Sequence, residues 1–151
     1  MMRKNRCRYH YSKGDTQMPY WRIFYHVVWS TKNREPLIKQ IWENDLHGYL
    51  WGKSTALGCL PHAINGVTDH VHIAISIPPI QPISRIIGQI KGSSSRHINR
   101  ELNTTGVFAR QAGYGVLSIS ERSLPRVIQY INQQKIHHLE SSTIESLERV
   151  I

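Results

Sequence analysis

The hydrophobic and polar positions alternate along some stretches of the chain and follow a helical period along others. From Arg22 the run RIFYHVVWST is rich in aromatic and β-branched residues and ends at the polar turn KNREP, which predicts a first strand. Between Pro36 and Gly58, apolar residues recur at three- and four-residue steps, which predicts an amphipathic helix that Gly58 ends. These positions are Ile38, Ile41, Trp42, Leu46, Tyr49 and Leu50.

The middle of the chain predicts a hairpin and then a second helix. CLPHAINGV and HVHIAISI are extended segments separated only by Thr68 and Asp69, a spacing typical of two paired strands. After Pro78 and Pro79 a helical pattern of isoleucines begins, and basic residues stand among its polar positions, so we expect a basic outer face. The isoleucines are Ile83, Ile86, Ile87, Ile90 and Ile98, and the basic residues are Arg85, Lys91, Arg96 and Arg100.

The remaining part predicts a last strand region and a last helix. Residues 106 to 120 hold two short extended pieces broken by glycines around Tyr114, and Ser123 with Pro125 then opens a helix. The resulting order is strand, helix, strand, strand, helix, strand, helix. This order predicts an α+β fold, with helices packed on a ferredoxin-like, RRM-like antiparallel sheet.

The chain divides into three segments in this interpretation. Residues 1–20 mix basic and polar types without a hydrophobic period and are interpreted as a basic, disordered leader. Residues 21–138 form one domain, and residues 139–151 form a short C-terminal helical tail. No apolar run approaches the roughly 18 residues of a membrane span. Cys7 and Cys59 form neither a disulfide framework nor a C-x-x-C metal pair, so we expect a cytoplasmic protein.

The charge of the chain favours an anionic partner. Lys and Arg total 19 against 10 Asp and Glu, which gives a net charge of +9 with neutral histidines. A surface of that sign attracts polyanions, and nucleic acid is the first candidate. A solvated basic face without a partner, or an anionic membrane surface, gives the same count, so charge alone does not decide.

Asp69-His70-Val71-His72 stands at the start of an apolar strand. Alternation along a strand sends His70 and His72 to the same face, while Val71 points the other way. Two imidazoles can therefore converge on one ion. A half-buried strand also often carries a histidine that only packs and hydrogen-bonds, so the pair needs a third ligand before it predicts a metal site.

The last helix offers a candidate nucleophile and a candidate third ligand. Leu124, Val127, Ile128 and Ile131 define its buried stripe at helical spacing. Tyr130 lies off that stripe, Gln134 follows one turn later, and His137 continues the same strip. From the helix alone, a tyrosine packed at the helix edge beside a solvated glutamine explains the pattern as well.

Taken together, these motifs resemble a known family. His70-Val71-His72 is similar to the His-hydrophobic-His signature of HUH nucleases, and the wider pattern resembles the single-tyrosine transposases of the insertion-sequence 200/605 type. The motifs follow the family's order and approximate spacing over residues 23 to 138. They are YHVVWSTKNREPLI from Tyr25, DHVHIAISIPP from Asp69, IGQIKGSSSRHIN from Ile87, GYGVLSIS from Gly113 and YINQQKIHH from Tyr130.

The resemblance implies a function and a set of roles. Tyr130 would be the nucleophile that cleaves and rejoins single-stranded DNA at insertion-sequence ends through a 5′-phosphotyrosine. His70, His72 and Gln134 would coordinate a divalent metal, Mg²⁺ or Mn²⁺. The partners would be single-stranded DNA hairpins at the element ends and a second copy of the chain. In the family's homodimer the sheets join edge to edge, and the tyrosine helix of one subunit can complete the histidine site of the other.

Several basic residues are candidate contacts to the DNA backbone, and two positions depart from the family. The candidates are Lys32, Arg34, Lys91, Arg96 and Arg100. Arg110, in FARQAGYG, stands where the family leads us to expect a tryptophan, and the chain ends at Ile151, before the family's usual C-terminal helix and tail. Neither departure changes a predicted catalytic group. Both put substrate docking, the dimer and the support of the Tyr130 helix in doubt.

Two other functions remain open at this stage. A non-catalytic or domesticated single-strand nucleic-acid-binding protein would use a similar sheet with basic helices, although no run resembles the aromatic-and-glycine strand motif of RNA-recognition folds. A metal-dependent hydrolase would use His70, His72 and either His137 or His138, with water as the nucleophile. It explains the histidines but gives Tyr130 only a structural role.

Overall fold

The computed structural model describes residues 20–102 and 106–150. Nearly all of the predicted leader, residues 1–19, lies outside the described residues. The elements are β1 (Phe24–Ser30), α1 (Gln40–Ala56), β2 (Leu60–Val67), β3 (His70–Ser76), α2 (Ile83–His97), β4 (Gly115–Ile119), α3 (Leu124–Asn132), α4 (Gln134–Leu139) and α5 (Glu145–Glu148). As far as α3 this is the predicted order, and a π-helical turn at Ile98–Leu102 extends α2.

The strands form one antiparallel sheet in the order β2-β3-β1-β4. The predicted ferredoxin-like arrangement is therefore confirmed, with β3 and β1 in the centre. Both central strands are almost entirely buried, because helices cover both faces of the sheet. The pairing register sets His72 opposite Val28 of β1 and Asn65 of β2. His70 and His72 therefore lie in the middle of the sheet rather than at an edge.

The two faces of the sheet carry different cores. Alternation along β3 sends Val71, Ile73 and Ile75 to the face that α1 and α2 cover, where they join the larger hydrophobic cluster. Residues of opposite parity, such as Ala74, face α3 and form a smaller cluster with it. The members of that cluster are Ala63, Ala74, Val127 and Ile131. His70 and His72 share the parity of Ala74, so both imidazoles project toward the C-terminal helices.

Helix α1 differs from the prediction at its start and agrees at its end. It begins at Gln40, because Lys39 still has extended backbone angles (φ −90°, ψ 139°). Ile41, assigned to the apolar stripe from its spacing, is 87% exposed. Trp42, Leu46 and Leu50 are buried as predicted. Gly58 has φ +78°, a left-handed conformation that glycine adopts without a Cβ penalty, and it follows the helix as expected.

The sequence predicted two short extended pieces before α3, but only the second of them forms a strand, β4. Only residues of β4 pair continuously with β1. Arg110 makes an isolated bridge to Thr31, and Gln111 N–H donates to the Ser30 carbonyl, so the earlier piece follows β1 only briefly. In the described part of the chain, no helix is long and apolar enough to cross a membrane.

Candidate active site

Strand β3 places two buried imidazoles side by side. The ring centroids of His70 and His72 are 4.9 Å apart, and both side chains are inaccessible to solvent. The Nε2 atoms of the two rings point to the same oxygen, Glu148 Oε2, at 3.1 Å and 3.2 Å. The convergence predicted from the His-x-His spacing is therefore present, and its focus is a carboxylate of the C-terminal segment.

Helix α3 brings Tyr130 against this pair. Pro125 lies at the helix start, where its missing N–H costs nothing, and the stripe of Val127 and Ile131 packs on the sheet. Tyr130 lies beside that stripe and is only 4% exposed. Its hydroxyl donates a short hydrogen bond to Glu148 Oε1 and accepts one of 3.0 Å from the N–H of Ile144.

A break in the last helix carries Gln134 to the same place. Gln133 has non-helical angles (φ −102°, ψ 16°) and separates α3, which carries Tyr130, from α4, which begins at Gln134. The prediction of one continuous strip over both residues was wrong. Gln134 is fully buried, and its Nε2 donates to Glu148 Oε1 at 3.2 Å. The structure thus brings together His70, His72, Tyr130 and Gln134 around one carboxylate.

Two further histidines surround this group. The ring of His137 stacks on that of Tyr130 at 4.7 Å, and its Nδ1 shares a hydrogen bond of 3.0 Å with Ser142 Oγ. The ring of His138 lies 4.8 Å from that of His70, with its Nε2 3.5 Å from Glu148 Oε2. Of the two, His138 is therefore the one that approaches the histidine pair.

Glu148 is a member of the candidate site that the sequence analysis did not identify. It lies on α5, a single helical turn within the segment that was predicted to be a C-terminal tail. Its carboxylate contacts His70, His72 and Tyr130. Together with His70 and His72 it forms a cluster with the composition and geometry of a metal site, whose ligand atoms lie within 4.8 Å of one another. No spacing in the sequence links Glu148 to β3, because only the path of residues 140–147 brings it back.

Burial and the neighbouring groups shift the pKa values of the site residues in opposite directions. Burial alone would raise the pKa of the Glu148 carboxyl, but hydrogen bonds from His70 and His72 outweigh it and lower the pKa far below its usual range. Burial would lower the pKa of His70, but Glu148 and Asp69 raise it. Burial lowers the pKa of His72 despite Glu148. Burial and the bond to Glu148 raise the pKa of Tyr130, which keeps the phenol protonated in this arrangement.

Each histidine of the pair also has a partner on its other ring nitrogen. His70 Nδ1 lies 2.5 Å from Asp69 Oδ1, whose second oxygen accepts from Arg34 Nε at 3.3 Å. His72 Nδ1 shares a hydrogen bond of 2.8 Å with Nε2 of His26, a buried residue of β1. Burial first, and then the neighbouring His72, lower the pKa of His26 to about 3, so this ring is neutral.

The donor set fits a divalent cation. When His70 is neutral, Asp69 keeps its proton on Nδ1, and the lone pair of Nε2 is then available at the point that Glu148 Oε2 occupies. Gln134 Oε1 is also buried without a hydrogen-bond partner among the described residues. Such converging acceptors need either a proton or a cation between them. Two imidazoles together with amide and carboxylate oxygens are ligands that divalent cations take in proteins.

The predicted DNA contacts fall on two sides of the sheet. Lys32 and Arg34 are exposed in the turn after β1, and Arg34 touches the site through Asp69. Arg96 and Arg100 are exposed on the α2 side. The placement of Lys91 on the outer basic face was wrong, because this residue is only 2% exposed.

The ammonium of Lys91 is used inside the protein. It donates to the carbonyls of Gln111, Ala112 and Gly113 at 3.1, 3.1 and 2.6 Å. It also lies over the Tyr114 ring, 5.6 Å from its centroid. Burial, with a smaller contribution from Arg110, lowers the pKa of Lys91 to about 8. Lys91 therefore holds the segment that leads into β4, and Arg110, the departure from the family, stands beside it.

The comparisons with known proteins identify the family of the chain. The family profile described as "Transposase IS200 like" matches residues 19–134. ISDra2 transposase TnpA of Deinococcus radiodurans is 24% identical over 119 residues, which cover 76% of this chain and 85% of that protein.

Two solved structures resemble the fold. A crystal structure described as a transposase from Deinococcus radiodurans R1 matches with a TM-score of 0.62 and 25% identity, over 80% of this chain and 97% of that one. A REP-associated tyrosine transposase bound to a REP hairpin matches with a TM-score of 0.60 and 13% identity, over 81% and 74% of the two chains. Since the family profile spans well over half of its length, the chain belongs to the IS200-like transposases, DNA-cleaving enzymes that act in the transposition of insertion sequences.

Proposed function

We propose that this transposase cleaves and rejoins single-stranded DNA at insertion-sequence ends through a 5′-phosphotyrosine on Tyr130. One observation carries the proposal. The Tyr130 hydroxyl, the Gln134 amide and the Nε2 atoms of His70 and His72 all approach the two oxygens of one carboxylate. A phosphodiester also presents two negative oxygens on one centre, so the same groups can approach a scissile phosphate.

The proposed chemistry conserves the phosphodiester bond. The Tyr130 oxygen attacks phosphorus, the bond from phosphorus to the 3′-oxygen breaks, and that oxygen takes a proton to leave as a 3′-hydroxyl. The phenol proton passes to a base. A second 3′-hydroxyl can later attack the phosphotyrosine and release Tyr130, so that joining needs no nucleotide cofactor.

The residues that would hold a divalent metal, Mg²⁺ or Mn²⁺, are His70, His72 and Gln134. Their support is the pair of converging Nε2 atoms and the buried, unpaired Oε1 of Gln134. Such an ion would offset the negative charge that develops on the phosphate oxygens in the transition state. Glu148 offers a fourth oxygen at the same point.

The first experiment tests covalent, metal-dependent cleavage. Purified protein is incubated with labelled single-stranded DNA from the flanks of its coding region, with Mg²⁺ or with EDTA, and run on a denaturing gel. We expect a labelled band that stays with the protein in Mg²⁺ and vanishes in EDTA. Free cleaved DNA without a protein-linked strand would contradict the tyrosine mechanism.

The partners are proposed on weaker support than the reaction. Among the predicted contacts, Lys32, Arg34, Arg96 and Arg100 are exposed and available to a DNA backbone, and Lys91 is left out because its ammonium is already bound. Single-stranded hairpins remain the predicted substrate. A homodimer remains a prediction, as does completion of one copy's histidine site by the tyrosine helix of the other.

The alternative functions are less well supported. An RNA-recognition module uses an open sheet face on which bases stack, whereas α3 covers the corresponding face here with Val127 and Ile131. A hydrolase would use His137 or His138 as a third ligand, and of these two His138 lies near His70. It would leave unexplained why Tyr130 is aimed at the focus of the histidine pair.

A further inference from the structure

The two site histidines are held by different partners on their Nδ1 atoms. Asp69 faces His70 and can only accept a hydrogen bond, because its carboxyl is ionised. His26 faces His72, and a neutral imidazole either donates or accepts. The rings of His26 and His72 also stack, with centroids 5.0 Å apart and an interplanar angle of 24°. Asp69 thus fixes both the position and the tautomer of His70, whereas His26 fixes the position of His72 and is compatible with either tautomer.

The tautomers decide which nitrogen is free for an ion. Asp69 holds the proton of His70 on Nδ1, which leaves a lone pair on Nε2 at the focus of the site. For His72 to do the same, its Nδ1–H must donate to Nε2 of His26. His26 then carries its own proton on Nδ1, an atom that is buried without a partner in the described residues.

We infer that His26 and Asp69 are positioning residues, which hold the Nε2 atoms of His72 and His70 toward one divalent cation. This inference rests on the proposed metal site. Outer partners of metal-bound histidines typically contribute about 10- to 100-fold in metal affinity. His26 is a buried residue of the central strand β1, where burial of a polar imidazole costs free energy compared with an apolar side chain. A positioning role for His72 would explain why a histidine stands there.

The test measures Mn²⁺ binding to the full chain by the loss of the free-ion EPR signal. His26→Phe keeps a ring of similar size without polar atoms, and we expect Mn²⁺ to bind about 10- to 100-fold more weakly. His26→Gln restores an acceptor close to the lost Nε2 and should recover much of that affinity. His62→Phe is the matched control, since His62 lies on β2 and bonds Ser76 instead of a site residue.

The outcomes separate this inference from the proposed function. If the parent chain binds no Mn²⁺, the proposed metal site and the inference both fail. If the parent binds Mn²⁺ and His26→Phe, folded by circular dichroism, binds it within twofold, only the positioning role is wrong. Equal weakening by His62→Phe would also overturn that role, because the loss would then be a general effect of strand substitutions.

A separate observation concerns the C-terminal segment, residues 140–150. It covers the nucleophile, since Ile144 and Glu148 both bond the Tyr130 hydroxyl and the phenol is buried. Behind it, the Arg149 carbonyl approaches β4 so closely that a Cβ on Gly115 would lie 2.1 Å away. A DNA phosphate cannot reach Tyr130 while this segment is in place.

We propose that the C-terminal segment is an autoinhibitory cap in which Glu148 occupies the position of the scissile phosphate. One carboxylate oxygen meets the histidine pair, and the other meets Tyr130 and Gln134, as two oxygens of a phosphate would. DNA and Glu148 therefore compete for the same groups. Loss of the charge-assisted contacts of Glu148 should shift the balance toward the open site by about tenfold or more.

The test uses nitration by tetranitromethane, located by peptide mass spectrometry, beside the cleavage assay. In Glu148→Ala we expect faster nitration of Tyr130 and faster formation of the protein-linked strand. Gly115→Ala should do the same by pushing the Arg149 carbonyl away, without removing any site group. Glu145→Ala, on the exposed side of the same turn, is the control and should match the parent.

Two results would overturn the cap. Unchanged nitration of Tyr130 in both Glu148→Ala and Gly115→Ala would mean that the segment does not limit access. Loss of cleavage and of Mn²⁺ binding in Glu148→Ala, with Gly115→Ala equal to the parent, would make Glu148 a ligand of the working site instead.

Discussion

A Tyr130→Phe chain is expected to bind single-stranded DNA from the element ends but to form no protein-linked product. The substitution removes only the hydroxyl oxygen that would become bonded to phosphorus, while the ring can keep its stacking on His137. Since no other nucleophile takes over in a transesterification of this kind, cleavage should fall by at least about a thousandfold. The labelled band that stays with the protein on a denaturing gel measures this directly.

Tyr49→Phe is the matched control for Tyr130→Phe. Tyr49 lies on α1, where its ring stacks on His97 on the other side of the sheet, so loss of its hydroxyl should leave cleavage within twofold of the parent. Release of free cleaved DNA by Tyr130→Phe at the parent rate would mean that water is the nucleophile. His138 would then become the first residue to examine as an additional ligand.

The second large effect is expected on stability, at Lys91. Lys91→Met keeps the length of the side chain but leaves the carbonyls of Gln111, Ala112 and Gly113 without their donor. The carbonyls belong to half-buried or exposed residues that water can partly reach, so loss of these charge-assisted hydrogen bonds should lower the free energy of unfolding by about 1–3 kcal/mol. Urea denaturation followed by circular dichroism gives the change.

Arg96→Met, on the same helix but exposed, is the control for Lys91→Met. It should leave the free energy of unfolding within about 0.5 kcal/mol of the parent. If Arg96 contacts the DNA backbone, its loss should weaken binding and reduce the salt dependence. A folded Lys91→Met chain of parent stability with weakened, less salt-dependent DNA binding would restore the original interpretation of Lys91 as a DNA contact.

The sheet and the strand that carries His70 and His72 could be predicted from the sequence, because both depend on local patterns. Alternation alone places His70 and His72 on one face, and helical spacing alone separates Tyr130 from the stripe of Val127 and Ile131. Both patterns are local, and they agree with the register of the sheet. The family motifs then supplied roles that the spacing could not.

The parts that were missed depend on contacts between distant residues. Glu148 reaches β3 only through the return of residues 140–147, and no period in the sequence encodes that path. The charge of Lys91 suggests an exposed residue of the helix. Its ammonium is buried instead, and hydrogen bonds to three carbonyls of a later loop offset the free-energy cost of that burial. The break at Gln133 is equally invisible, because glutamine is a good helix former and nothing nearby resembles a stop signal.

A site completed within one chain would have a kinetic consequence. When each copy carries its own nucleophile and its own ligands, the rate of strand cleavage per molecule does not depend on how many copies meet. A mixture of two inactive chains, one without Tyr130 and one without His70, then has no complete site to share. Association through the exposed side of β4 would place two finished sites next to each other and so govern which two DNA ends are joined, leaving the cutting of each end to a single copy.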